Sequence, residues 1–232
     1  MTSAPQPVSP VWSRLQPERP PRLTRDLIVE AGLRLADAEG LDAVSIRRVA
    51  AMLGSRPMTL YSHIDRKEDL LDLMFDHLAG TVLEGDPLPS GWRDALMVVA
   101  SRKRRLCLAH PWAIALYARR PRVGPNSVMQ LERSVVALRP LTGDLAQAMR
   151  VVNAVDDYTM GHVARELVYD AGGDADWVRT VQPYLTGLAD SGQYPALAPL
   201  LAHPVRDDGD ETFVTGLRWL LDGIAISFSG RT

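Results

Sequence analysis

The stretch from Ser45 to Ile64, SIRRVAAMLGSRPMTLYSHI, leaves little choice of local structure. Ile46, Val49, Ala50 and Leu53 recur at the spacing of one buried helical face, while Arg47 and Arg48 fall off that face. Ser45 stands where its hydroxyl can cap the helix. Gly54, free to take positive φ, ends it, and Pro57, which needs no amide partner in a first turn, opens another. The second helix turns Leu60 and Ile64 inward and leaves Thr59, Tyr61, Ser62 and His63 for other contacts. Two small helices about a sharp turn are a shape that seats one of them in the major groove of DNA.

Charge agrees locally but not globally. The whole chain carries a net charge of −2 with a pI near 6.2, which opposes whole-molecule attraction to polyanions. No acidic residue lies between Asp42 and Asp65, where Arg47, Arg48, Arg56 and His63 stand, so the acidic average hides one basic face. The 232 residues suffice for one or two domains with a sizeable core. Cys107 is the single cysteine, which excludes an intrachain disulfide framework and suits a reducing cytosol. No apolar run reaches membrane-spanning length, and the start of the chain lacks the apolar core of a signal peptide, so the cytoplasm is expected and no membrane partner.

Around the central stretch the pattern is helical throughout. Residues 1–21 carry six prolines and are expected to form a disordered tail, whose Arg14 and Arg19, with Arg22 just beyond, could brush phosphates. A helix over 24–39 shows an apolar stripe of Leu27, Ile28, Ala31, Leu33, Leu35 and Ala38, with Thr24 to cap it and Gly40 to end it. After the motif, Asp65 to Glu68 reads as a capping box before a helix through Leu70, Leu71, Met74, Phe75, Leu78 and Val82. Gly85, Pro87, Pro89 and Gly91 then mark the domain boundary, giving a DNA-binding domain over 22–84 and a second domain over 85–232. Helices are expected there over 92–109, 112–118, 126–138, 144–169, 177–189 and 210–228, with the turn-rich 192–210 partly mobile. Phe213, Leu217, Leu220, Leu221, Ile224 and Phe228 should face a partner or the core.

The helix order, with Ser45, Ala50, Gly54, the phrase Thr59-Leu60-Tyr61-Ser62-His63-Ile64 and then Lys67 to Leu70, resembles the TetR family of transcriptional repressors over about 60 residues. His110 to Trp112, Gly124 to Asn126, Gly161-His162 and Gly216 to Ile224 resemble the regulatory domain of its tetracycline-repressor-like branch. The resemblance implies an all-α fold: an N-terminal three-helix helix-turn-helix DNA-binding domain joined to a larger helical ligand-binding and dimerisation domain. It implies DNA contact by Ser45, Arg47, Arg56, Pro57, Met58, Thr59, Tyr61, Ser62, His63 and Lys67. Arginine can fork onto guanine, Thr59 and Met58 can touch a thymine methyl, and Tyr61, His63 and Lys67 can hold phosphates. Pro57-Met58 departs from the prototype repressor, so the operator sequence does not carry over.

A regulator of this kind needs a pocket for a small-molecule effector. Candidates for its wall are Trp112, Tyr117, Met129, Asp156, Met160, His162 and Trp219, although Met and Trp at helical spacing also serve as plain core. His162 and Glu166, four apart on one helical face with Asp156 and Asp157 before them, suit either a metal site or a surface salt-bridged with Arg165; the lack of further His or Cys ligands favours the second, and no metal or cofactor is expected. No nucleophile elbow, phosphate loop, HExxH or dinucleotide fingerprint occurs, so no enzyme is expected. The expected protein is a homodimeric repressor on a palindromic operator, released by a small molecule. A small-molecule-sequestering helical protein with vestigial DNA binding is the alternative, and an activator would make the same DNA contacts as a repressor.

Overall fold

A computed structural model describes residues 23–117, 123–171, 175–202 and 209–229, and every regular element among them is helical. The expected tail over 1–21 lies outside the described residues.

Helix α1 (Arg25–Glu39) begins where Thr24 Oγ1 accepts from the Leu27 amide at 3.2 Å and stops at Gly40, whose φ of 83° is left-handed. Its buried stripe is Ile28, Val29, Ala31, Gly32, Leu33, Leu35 and Ala36, while Leu27 and Ala38 face outward, against the expected pattern. A single 3-10 turn over Leu41–Ala43 leads to α2 (Ile46–Met52), capped by Ser45 Oγ, which accepts from the Arg48 amide at 3.3 Å. Gly54, at φ 61°, makes the turn into α3 (Pro57–Leu60), which is one turn long rather than the expected 57–63. Ser62 Oγ donates to the Thr59 carbonyl at 2.7 Å, and the chain leaves the helix in a turn.

Helix α4 (Lys67–Leu83) corrects the expected capping box by one position. Arg66 is the cap residue, and Asp69 in the first turn reaches back to accept from the Asp65 amide at 3.2 Å and from Arg66 Nε at 3.1 Å. Leu70, Met74, Phe75 and Leu78 of α4 meet Ile28, Leu35, Val49, Leu60 and Ile64 in one apolar core. A Cβ at Gly32 would lie 2.8 Å from Met74 Sδ, so the absence of a side chain sets how closely α1 and α4 approach.

Then follow α5 (Trp92–Ala109), α6 (Ala113–Tyr117), α7 (Pro125–Ala137), α8 (Leu145–Ala171), α9 (Ala175–Asp190), α10 (Ala198–Ala202) and α11 (Gly209–Ser229). The chain forms two compact units, Met1–Val152 and Asn153–Thr232. In the first, α7 packs on α4 and α5, and Trp112, Ala113 and Leu116 of the α6 region join the core of α1 to α4. In the second, Phe213, Leu217 and Leu221 form the buried face of α11, and Tyr158 of α8 donates its hydroxyl to the Phe213 carbonyl at 2.9 Å. Gly216 makes that approach possible, since a Cβ there would overlap the Tyr158 hydroxyl. Leu220, Ile224 and Phe228 are half-buried. Within the turn-rich segment after Gly192, α10 is held by Gln182, whose amide donates to the Leu201 and Ala202 carbonyls at 3.2 and 3.3 Å.

Candidate nucleic-acid interface and effector site

Leu60 and Ile64, fully buried, fix α3 and the turn after it to the core, so the other side chains of α3 point away from it. Met58 is 76% exposed, and Arg56, Thr59, Tyr61 and Ser62 are exposed beside it. Arg47 projects from α2, Pro57 is the first residue of α3 and half-buried, and Lys67 is half-buried in the first turn of α4. Ser45 acts in the structure as the cap of α2, which leaves its hydroxyl committed to the Arg48 amide. Glu39 forms an exposed ion pair with Arg48, whose guanidinium holds the Glu39 carboxyl below the usual carboxylate range.

His63 departs from its expected role on phosphates. It is only 8% exposed, and Arg25 of α1 donates Nε to its carbonyl at 3.2 Å, fastening the end of the motif to the first helix. Burial, and secondarily the nearby Arg25 charge, hold the imidazole below the usual histidine range, so His63 is neutral at pH 7. It is interior support for the α3–α4 turn, while the exposed side chains around it form the surface. That surface is a short apolar and hydroxyl-bearing tip with Arg47 and Arg56 on its flanks, the chemistry that meets base edges and phosphates in a groove.

Of the seven expected effector residues, Trp112, Tyr117 and Met129 fall in the first compact unit and Asp156, Met160, His162 and Trp219 in the second. Trp112 is buried, its Nε1 donating at 2.7 Å to Asp37 Oδ1 of α1, and the same oxygen lies 2.6 Å from His110 Nδ1. His110 is therefore paired with a carboxylate. Tyr117 sets its ring edge-on to Phe75, centroids 4.9 Å apart, so it too packs against the core of α1 to α4. Met129 and Trp219 are surface residues, Trp219 72% exposed. In the second unit Asp156 and His162 are buried and Met160 half-buried. His162 lies against Tyr158 and Phe213, with Arg165 Nη2 3.1 Å from its Nδ1 and Glu166 Oε2 3.8 Å from its Nε2. No group of three metal-ligating side chains occurs among the described residues.

Two clefts of about 260 and 250 Å³ are lined by Thr81, Val82, Glu84, Arg102, Arg105 and Leu106, and by the α1, α4 and α7 residues around Asp76 and Asn126. Neither includes any of the seven. The polar groups that sequence reasoning passed over lie on α7: Ser127 Oγ and Gln130 Nε2 are buried without a hydrogen-bond partner among the described residues. Their signal in the sequence is a polar residue every third or fourth position, Ser127, Gln130 and Ser134, all of which face inward.

Comparison with known proteins decides the family. The description "Tetracyclin repressor-like, C-terminal domain" matches residues 85–227, and "Bacterial regulatory proteins, tetR family" matches residues 28–74. The chain belongs to the TetR family of transcriptional regulators. It is 34% identical over 219 residues to the HTH-type transcriptional repressor DrrR1 of Streptomyces coeruleorubidus, covering 91% of this chain and 80% of that one. It is 34% identical over 221 residues to an HTH-type transcriptional regulator of Saccharopolyspora erythraea, covering 93% and 91%. Among solved structures it is similar to the TetR-family protein ActR of Streptomyces coelicolor bound to actinorhodin, with a TM-score of 0.77 and 28% identity over 90% of this chain and 99% of that one. These relatives are regulators, not enzymes, and the all-α fold with an N-terminal helix-turn-helix followed by a larger helical part is that of the TetR family. Among the described residues no helix is long and apolar enough to cross a membrane.

Proposed function

We propose that this TetR-family regulator is a cytoplasmic repressor that binds a palindromic operator as a homodimer and leaves it when a small molecule binds. The observation that carries the reading is the α3 tip: Met58, Thr59 and Tyr61 exposed on a one-turn helix whose Leu60 is fully buried. The DNA contacts are then Arg47, Arg56, Pro57, Met58, Thr59, Tyr61, Ser62 and Lys67, with Ser45 and His63 shaping the surface from behind. The functional boundary falls at Gly85, after α4. One such tip touches few bases, and a symmetric pair reading half-sites one duplex turn apart, about 34–36 Å, doubles the readout.

The dimer contact is assigned to α11. Trp219 and Ile226, 72% and 74% exposed and seven residues apart, form an apolar stripe opposite the buried Phe213, Leu217 and Leu221. The effector is a compound bearing hydrogen-bond acceptors, because the orphaned Gln130 Nε2 can only donate and Ser127 Oγ can do so too. ActR, similar over most of the chain, has been solved with a small molecule bound, which supports a ligand-responsive role.

Selection of bound DNA from a random pool tests the reading. The expected product is a two-fold symmetric sequence whose retardation is reversed by a compound that raises the melting temperature; a chain that selects no DNA overturns it. Light scattering at micromolar concentration should return the dimer mass, and Trp219→Asp the monomer.

A further inference from the structure

Helix α4 carries the DNA-reading core on its first half, but its second half is fastened elsewhere. Asp76, 4% exposed, accepts from the Ser127 amide at 2.8 Å and from the Asn126 amide at 3.2 Å, so a carboxylate from the middle of α4 caps the amino end of α7. Asn126 completes the exchange by donating its side-chain amide to the Asp76 carbonyl at 3.2 Å. Gly124 is obligatory for this joint, because a Cβ there would overlap the Asp76 carboxylate. Further along α4, a Cβ at Gly80 would lie 3.0 Å from Asn126 Nδ2, so the Asn126 side chain lies directly against the α4 backbone there. At the end of α4, Arg133 of α7 donates to the Leu83 carbonyl and Arg102 of α5 to the Val82 carbonyl, both at 3.3 Å.

We propose that Asp76 is a positioning residue that locks α4 to α7, so that the occupancy of DNA on α3 is felt at the first turn of α7 and a displacement of α7 is felt at α3. The physical reason is that hydrogen bonds to a buried carboxylate are directional, and α4 cannot rotate or slide against α7 without leaving both amides and the carboxylate unpaired. An apolar contact of the same area would allow graded slippage. The joint therefore has two states, made and broken, which is what an allosteric link requires. Coupling free energy is reciprocal: if moving α7 weakens DNA binding, bound DNA must steady α7 by the same factor. This lets the link be tested before any effector is known. It rests on α2 and α3 being the face that meets DNA.

The experiment is hydrogen exchange, read by mass spectrometry on the full-length chain, with and without DNA recovered by selection from a random pool. In the wild type, DNA should slow exchange over 56–62 and also over 125–130, the latter by about tenfold, within the usual range of coupling between sites. Asp76→Asn keeps the shape and loses the charge; it should keep the protection over 56–62 and reduce that over 125–130 to below twofold. Gly124→Ala, which attacks the joint from α7, should give the same split, and it guards against a fold defect peculiar to position 76. Protection confined to 56–62 in the wild type, or undiminished over 125–130 in both variants, overturns the coupling while leaving DNA binding intact. A chain that selects no DNA overturns the DNA reading and this coupling together.

Discussion

Apolar burial runs the length of α4, and its second half adds directional hydrogen bonds to α7 and α5. Toward its start, Leu70 and Met74 pack with Ile28, Val49, Leu60 and Ile64 in a core where each of these residues is fully buried. Toward its end, the same helix meets α7 through Asp76, Asn126 and Arg133 and meets α5 through Arg102. Apolar burial is non-directional and grows with area, so the first contact makes a stable block of α1 to α4. Buried polar contacts are worth less net but cost much when one partner is lost, so the second contact fixes a geometry more than it adds stability. A reader of DNA needs the first property and a switch needs the second.

The largest effect should come from breaking the apolar end. Ile64→Ala removes a fully buried side chain and should lower unfolding free energy by about 2–5 kcal/mol, seen in the denaturant midpoint. A change under 0.5 kcal/mol would mean that the turn after α3 is not held by this core. Next in size is Gln130→Leu, which replaces a buried side chain whose Nε2 has no hydrogen-bond partner among the described residues by an apolar group of similar volume. It should stabilise the chain by about 1–2 kcal/mol and weaken binding of any compound that shifts the wild-type melting temperature. Loss of stability instead would show that Gln130 is satisfied in solution.

Acid should tell on the apolar end through His63. Its imidazole, unfolded, titrates near 6.5 and in the fold lies lower, so between those values the unfolded chain binds more protons. Stability is complete above about pH 6.5 and is lost as pH falls toward the folded value; melting followed from pH 7.5 to 5.5 should show the drop, and His63→Asn should flatten the part due to this group. The smallest effect belongs to the exposed pair Arg48–Glu39, where Arg48→Ala should leave the melting midpoint unmoved within error at physiological salt.

Much of the fold was legible because its signals are local. Thr24 and Ser45 cap amides three residues on, and Gly40 and Gly54 end helices at the residues whose φ turns positive, so windows of a few residues contain both cause and effect. The exposed tip Met58, Thr59 and Tyr61 was legible for the same reason. His63 was not, since α3 ends at Leu60 and the group that holds the His63 carbonyl, Arg25, is 38 residues away. Asp76 looks in the sequence like one more polar residue on an amphipathic helix, and its partners lie 50 and 51 residues on. Trp112 and Tyr117, as aromatic residues, suit either a pocket or a core, and the groups they meet, Asp37 and Phe75, lie far from them in the sequence.

Asp37 gives one oxygen both to the indole of Trp112 and to the ring of His110, across more than 70 residues of chain. For anyone building chimaeras, the helices through Leu83 are therefore not a cassette. A graft that brings them to a foreign partner without an indole and an imidazole at the matching elbow loses both contacts of Asp37 on α1. One that carries residues 110–112 along with them keeps the seam whole.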